Sequence, residues 1–332
     1  MTTAPHRPRL LVLRALGLGD LLAGVPALRG VRRAFPGHRV VLALPPALRE
    51  AALATAAVDA VFPAEAPNRG VPSLGHWPGP PPDLAIDLHG NGPASRDALA
   101  ALAPRRLLAF AQPTPRPPEW RPDEHERVRW CRFLAAYGIA ADPDDVRLPV
   151  PAGISPAPGA VVVHPGAESA SRRWPAGRYA ALVRELGAAG HRVVVTGGPK
   201  EDALVLDVAG RAGLPERDVL RGGLPFGELS ALVALAALVV SGDTGLAHLA
   251  VAHATPSVTL FGPVSPHLWG PPRSGRHIAL WKPGPPGDPH GDVPDPQLLR
   301  IGAEEATAAA LALLRPGRTT DPPRKGEEAR VR

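Results

Sequence analysis

The 332-residue chain is expected to be an α/β protein made of two doubly wound halves that face each other across a cleft. Three observations carry that expectation. Short Val- and Leu-rich runs alternate with stretches of helical periodicity, the pattern of parallel strands covered by helices on both faces. Each half opens in the same way, with a buried strand running into a glycine-containing loop: RLLVLRALGLGD in the first, GAVVVHPGAES in the second. Between them DVRLPVPAGISPAPGA, Asp145 to Ala160, is rich in Pro and Gly, lacks helical periodicity and reads as a linker.

In chain order, RLLVL is the first strand and LLAGVPALRGVRRAF the helix behind its loop. HRVVLALP, DLAIDLHG and RRLLAF read as further strands of the first half. The second half continues with the helix RYAALVRELGAAG, the strand HRVVVTGG, the helices EDALVLDVAGRAG and ELSALVALAA, and the strand LVVSG. The helix GLAHLAVAH and the strand PSVTLFG close the series. The expected division is residues 1–150 and 151–314, followed by an unstructured tail at 315–332. In such sheets ligands bind beyond the carboxyl ends of the strands, where these glycine loops fall.

Composition narrows the function. Hydrophobic residues make up 45% of the chain, enough for real cores, and aromatics only 4%, so Ala, Leu and Val do the packing. The net charge is +6, but Arg315, Arg318, Arg324, Lys325, Arg330 and Arg332 against Asp321, Glu327 and Glu328 place half of that excess on the tail. The body has no basic stripe studded with aromatics, so nucleic acid is not an expected partner. Cys131 stands alone in an amphipathic setting and reads as a buried thiol rather than a nucleophile. The apolar opening is broken by Arg14 and Asp20, giving neither a signal-peptide core nor a membrane span, so a soluble, cytoplasmic protein is expected.

The first loop, Gly17-Leu18-Gly19-Asp20, is not a dinucleotide fingerprint. Its third glycine is replaced by Leu22, and no acidic residue ends the second strand. Val25 and Pro26 after Gly24 also exclude a GxxxxGK[ST] phosphate loop. Asp20 then has two readings: a cap on the helix behind it, or a carboxylate in the cleft acting as a general base. Arg172 and Arg173, before Trp174-Pro175, are either solvated or a clamp on a diphosphate, to which the guanidinium fork is suited. Gly242-Asp243-Thr244-Gly245, between a strand and a helix, forms an anion site from geometry or a plain capped helix. His248 lies one turn into that helix, facing a phosphate or sugar or else buried and satisfied. It and His253 leave different faces, and no metal-ligand cluster is present in the sequence.

VVVHPGAESASRRWPAGRYAALVREL, VVVTGGPKED and LVVSGDTGLAHLAVAHATPSVTLFGP resemble the donor-binding half of glycosyltransferase family 9, the ADP-heptose:lipopolysaccharide heptosyltransferases. RLLVLRALGLGDLLAGVPALRGVRRAFP resembles the opening of that family, and DLAIDLHGNGPASRDALA its acceptor-side segment. The resemblance runs from about Arg9 to about Trp269 and implies two Rossmann-like domains in the GT-B arrangement. It further implies inverting transfer of a heptose from ADP-heptose to a hydroxyl of a glycan or glycolipid, with no cofactor and no catalytic metal. Asp20 takes the place of the catalytic base. Arg172, or else Arg173, takes that of the residue on the donor phosphate. Glu201 falls at the ribose, and Asp243, Thr244, Gly245 and His248 fall at the diphosphate and sugar. On the acceptor side the resemblance points to His89 and Asn91. It also implies contact, through the acceptor, with the inner face of the cytoplasmic membrane. The chain has Arg where many relatives have Lys before Trp-Pro, and VSP after FGP where a Thr-Asp-Pro type is commoner. A nucleotide-sugar epimerase or hydrolase, or a non-catalytic nucleotide-sugar binding protein, are the alternative readings.

Overall fold

The computed structural model describes residues 7–110, 118–151, 153–273 and 275–315. The tail beyond Arg315 and most of the Pro113–Pro118 stretch lie outside the described residues.

The first half runs β1 (Arg9–Leu13), α1 (Leu18–Ala34), β2 (Arg39–Leu44), α2 (Arg49–Ala54), β3 (Ala60–Pro63), β4 (Leu84–Asp87), α3 (Pro93–Ala100), β5 (Arg106–Leu108) and α4 (Glu126–Ala135). Its strands pair in the order β3-β2-β1-β4-β5, all parallel. The second half runs β6 (Val161–His164), α5 (Ala176–Ala188), β7 (Val193–Thr196), α6 (Asp202–Ala212), β8 (Val219–Leu220), α7 (Phe226–Ala234) and β9 (Leu238–Gly242). It continues with α8 (Gly245–Ala252), β10 (Ser257–Leu260), α9 (Pro266–Trp269), β11 (His277–Leu280), α10 (Pro296–Leu299) and α11 (Ala303–Leu314). These strands form a second parallel sheet, β11-β10-β9-β6-β7-β8. The α/β class and the two doubly wound sheets agree with the sequence reading.

Three strands were not expected from the sequence. β3 ends in Pro63, β8 is a two-residue strand at the edge beside β7, and β11 follows a Pro- and Gly-rich stretch. Each lies at or beside a sheet edge, where pairing comes from a neighbouring strand rather than from a long apolar run.

Each sheet has one place where its strand order reverses, between β1 and β4 and between β6 and β9. Loops leaving neighbouring strands there diverge to opposite faces and open a crevice. β6 and β9 are in register with His164 opposite Ser241, so the loops after both strands leave side by side.

The two halves are not separate in their packing. Leu10, Val12, Leu28, Val40 and Ile86 belong to a core of the first half, and Val161, Val195, Val240 and Val258 to one of the second. A further cluster joins Leu22 and Val25 of α1 to Val162, Val194, Leu232 and Leu249 of the second half. Leu148, in the linker, is part of it, and its N–H donates to the Ala252 carbonyl at 2.9 Å. Each such side chain, fully buried, stabilises by about 1.5–3 kcal/mol. The described residues of the linker form no helix or strand, yet Leu148 fastens it to the second half. Cys131, on α4, is buried, and burial raises its thiol pKa to about 12, consistent with an inert core residue.

The first turns of α1 and α8 touch. A Cβ on Gly245 would lie 3.0 Å from the Leu18 side chain, and one on Gly19 would lie 3.1 Å from His248. Glycine at these two positions therefore lets two helix N-termini meet across the cleft. Among the described residues no helix is long and apolar enough to cross a membrane.

Candidate active site

Where those two helix starts meet, a cavity of 680 Å³ opens between the halves. Asp20, Arg172, Arg173, Glu201, Asp243, Thr244, Gly245 and His248 all line it. His89 and Asn91 do not line it. His89 sits behind it after β4, where its Nδ1 accepts from the Ala15 N–H at 3.2 Å, and Asn91 is exposed. Burial, helped by the nearby Arg14 charge, lowers the His89 pKa to about 4, so its ring is neutral near pH 7.

Asp20 is buried, but it is not the N-cap. Gly17 holds that position, and Asp20 is the third residue of α1. A glycine cap has no side chain to offer, so only the returning half of a capping box forms: the Gly17 N–H donates to Asp20 Oδ2 at 3.1 Å. The carboxylate thereby keeps a fixed orientation in the cavity wall. Arg69 Nη2 donates to both of its oxygens, at 2.7 and 2.8 Å.

The backbone of Asp20 is held from beneath by Arg14, whose side chain is fully buried. Arg14 Nε donates to the Asp20 carbonyl at 2.7 Å and Nη1 to the Leu88 carbonyl at 2.6 Å, while Nη2 pairs with Glu126 at 3.0 Å. Gly24 leaves room for it, since a Cβ there would come within 2.8 Å of Arg14 Nε. Arg14 and Arg69 were missed by the sequence reading, which saw the first only as an interruption of an apolar run.

On the facing side Thr244 is the N-cap of α8, and its side chain makes no capping bond. Its Oγ1 is buried and has no hydrogen-bond partner. Asp243, just outside the helix, is buried, and burial raises its pKa against the pull of Arg172. Arg172 Nη1 lies 3.5 Å from Asp243 Oδ2, while its Nε is buried without a partner. Arg173 is exposed, its Nε donating to the Ala167 carbonyl at 3.0 Å. The pair thus divides as two separate roles: Arg172 turns inward, and Arg173 ties down its own loop. Trp174 is buried, with Nε1 donating to the Ile301 carbonyl at 2.9 Å.

His248 packs edge-on to Trp269, with ring centroids 6.0 Å apart. Burial first, and the Arg127 charge second, hold its pKa at about 4, so the ring is neutral and can donate or accept a hydrogen bond. Glu201 folds back over Gly166, where a Cβ would overlap its carboxylate, and accepts the Gly198 N–H at 2.7 Å. Beside it, His164 Nδ1 lies 3.0 Å from the Thr196 carbonyl, which can only accept, so that nitrogen carries the proton. His164 Nε2 is 3.8 Å from Glu201 and also lines the cavity. His164 is a third residue that the sequence reading passed over. Among the described residues no group of three or more His, Cys, Asp or Glu is placed to hold a metal ion.

The geometry offers a carboxylate on one wall and, on the other, a helix start with a free hydroxyl and an inward guanidinium. That pairing suits proton removal from one reactant and stabilisation of an anionic leaving group on the other.

The model of glycosyltransferase family 9 (heptosyltransferase) matches residues 150–285. A lipopolysaccharide heptosyltransferase 3 from Escherichia coli is 35% identical over 123 residues, 36% of this chain and 36% of the relative. The match to the curated relatives thus spans about a third of their length. A solved glycosyl transferase family 9 structure from Veillonella parvula superposes with a TM-score of 0.70 at 17% identity, covering 95% of this chain and 99% of the other. The E. coli heptosyltransferase WaaC with ADP gives 0.66 at 19%, covering 92% and 99%. These two likenesses extend the shared two-domain fold over nearly the whole chain. The chain is therefore glycosyltransferase family 9-like, heptosyltransferase-like in the half that carries the Asp243–Gly245 turn.

Proposed function

We propose that the protein is an inverting glycosyltransferase that moves a heptose from ADP-heptose to a hydroxyl of a glycan or glycolipid, with Asp20 as the general base. The observation that carries this reading is the convergence of the α1 and α8 starts on one cavity. One bears a buried, oriented carboxylate and the other a buried hydroxyl without a partner. The family match over residues 150–285 and the names of the relatives support heptose as the sugar and lipopolysaccharide as the acceptor's class.

In this mechanism the donor diphosphate lies at the start of α8. There the first-turn N–H groups, the Thr244 hydroxyl and Arg172 take up the negative charge that grows as the leaving group departs. Glu201 holds the ribose, and neutral His248 contacts the diphosphate or the sugar. The acceptor enters from the first half. Asp20 removes its hydroxyl proton as that oxygen attacks the anomeric carbon on the face opposite the diphosphate. Base and leaving-group socket stand on opposing walls, which supports inversion through an in-line displacement. Helix starts and an arginine carry the charge, so the transfer needs no metal. His89, set behind the cavity, takes no direct part in the proton transfer. The enzyme works in the cytoplasm and meets the membrane's inner face through its acceptor.

A thermal-shift panel of nucleoside diphosphates and nucleotide sugars, repeated in EDTA, tests the reading. ADP and ADP-heptose at about 100 times their dissociation constant should stabilise by roughly 2.7 kcal/mol. Stabilisation by UDP compounds alone, or dependence on added Mg²⁺, would overturn the donor assignment.

A further inference from the structure

Arg69 lies between the two halves in a way the mechanism above leaves unexplained. It lines the cavity and donates through Nη2 to both oxygens of Asp20, at 2.7 and 2.8 Å. Through Nη1 it reaches Glu168 Oε2, in the loop after β6 of the other half, at 3.3 Å. The Asp20 side chain is only 8% exposed, so water competes little for it, whereas Glu168 is 69% exposed. Both partners raise the Arg69 pKa against its burial, so the guanidinium is a permanent cation at this spot. The chain reaches it through two successive residues in the left-handed region, Asn68 at φ 52° and Arg69 at φ 58°. Neither is glycine, so the surrounding structure imposes this conformation.

While Arg69 holds Asp20, both carboxylate oxygens are engaged: Nη2 reaches Oδ1 and Oδ2, and Oδ2 also accepts the Gly17 N–H, so an incoming hydroxyl competes with the guanidinium for the same oxygens. Any group that uses Asp20 as a base must first displace Arg69. Glu168, already 3.3 Å from Nη1, leaves the guanidinium with a carboxylate partner when Nη2 parts from Asp20.

We propose that Arg69 is a guard on Asp20: it holds the base until an acceptor displaces it onto Glu168, and so keeps water from hydrolysing a bound nucleotide sugar. This rests on the reading of Asp20 as the base. A sugar acceptor makes many contacts and can supply the binding energy for that displacement, whereas a single water cannot. The reaction suppressed is simple. A water oxygen bonds to the anomeric carbon while the bond from that carbon to the diphosphate oxygen breaks. The electron pair of that bond leaves with the nucleoside diphosphate, and the water proton goes to Asp20. Arg69 meets neither the anomeric carbon nor the departing diphosphate oxygen in this account; it acts through Asp20 and is a positioning residue.

The test is release of ADP from saturating ADP-heptose with no acceptor present. Arg69→Gln should raise that release by about tenfold. Arg69→Lys, which keeps the charge, should remain near the parent protein. Adding Asp20→Asn to Arg69→Gln should return release to the parent level or below, an outcome that loosened packing would not produce. ADP-induced thermal shifts on each variant report folding and donor binding, and Arg69→Met replaces Arg69→Gln should the latter fail to fold. Unchanged or slower release from a folded, ADP-binding Arg69 variant overturns the guard. Faster release that survives Asp20→Asn overturns it too. Failure of the parent protein itself to bind ADP or ADP-heptose would instead strike at the donor reading.

Discussion

The two turns that face each other across the cavity are built from the same parts and finished in opposite ways. Both join a buried parallel strand to a helix through glycine, and both carry one aspartate. In the first turn the aspartate lies inside the helix, ties back to the Gly17 N–H and is covered by Arg69. In the second it lies outside the helix and pairs with Arg172, while the cap's own hydroxyl bonds nothing. The first carboxylate is satisfied within the chain, by Gly17 and Arg69. The second turn leaves the Thr244 hydroxyl and the Arg172 Nε buried without partners. The two carboxylates stand on opposite sides of their caps, Asp20 three positions after Gly17 and Asp243 one before Thr244.

The sharpest way to break this comparison is to neutralise the first aspartate. Asp20→Asn still accepts the Gly17 N–H but loses its charge pairing with Arg69, so the melting temperature should fall while ADP affinity barely changes. Turnover should fall roughly 10²- to 10⁴-fold, the scale of a lost general base. Near-parent turnover at saturating donor and acceptor would make Asp20 a structural residue only.

The second turn is tested through Arg172. Arg172→Ala removes a charge-assisted contact and should weaken ADP by about 1.5–3 kcal/mol in calorimetric titration while leaving adenosine nearly unaffected. Equal losses for the two ligands would move the phosphate contact elsewhere, Arg173 being the neighbouring alternative.

The smallest effect sharpens the contrast most directly. Thr244→Val removes a hydroxyl with no partner in the free protein, so thermal stability should hold or rise slightly. ADP affinity should drop by about 0.5–1.5 kcal/mol if that hydroxyl meets the diphosphate. An unchanged affinity would mean the free hydroxyl is not part of the socket.

What could be read from the sequence divides along the same lines. The turns at Asp20 and at Asp243–Gly245 are local: glycine, carboxylate and helix follow one another within a few residues, so their chemistry is visible in the string. Arg69 sits in a stretch without periodicity and meets Asp20 across 49 positions, a pairing made only by the sheet. Arg14 finds Glu126 across 112 positions, and nothing near either residue announces the other. His164 looked like the end of a strand because its role depends on the Thr196 carbonyl and Glu201, both supplied by the neighbouring β7 strand and its loop. The edge strands β3 and β8 were missed for a related reason, since their pairing is decided by neighbours rather than by their own residues. The reading of Asp20 as a possible N-cap failed by three positions, because glycine had already taken that place.

The hydrophobic cluster in which Leu22 and Val25 lie against Val162, Val194 and Leu232 bears on how such a protein can be re-engineered. A chimera that replaced the second half to change the sugar would cut through that cluster and through the Leu18–Gly245 contact. The transplanted half would meet a face of α1 shaped for a different partner, and overpacking or a void there costs from one to several kcal/mol. Exchange of donor specificity therefore has to carry α1 with the incoming half, or redesign Leu18, Leu22 and Val25 to suit it. The linker is where the chain divides by composition, but the seam along which it can be recombined runs down the first helix.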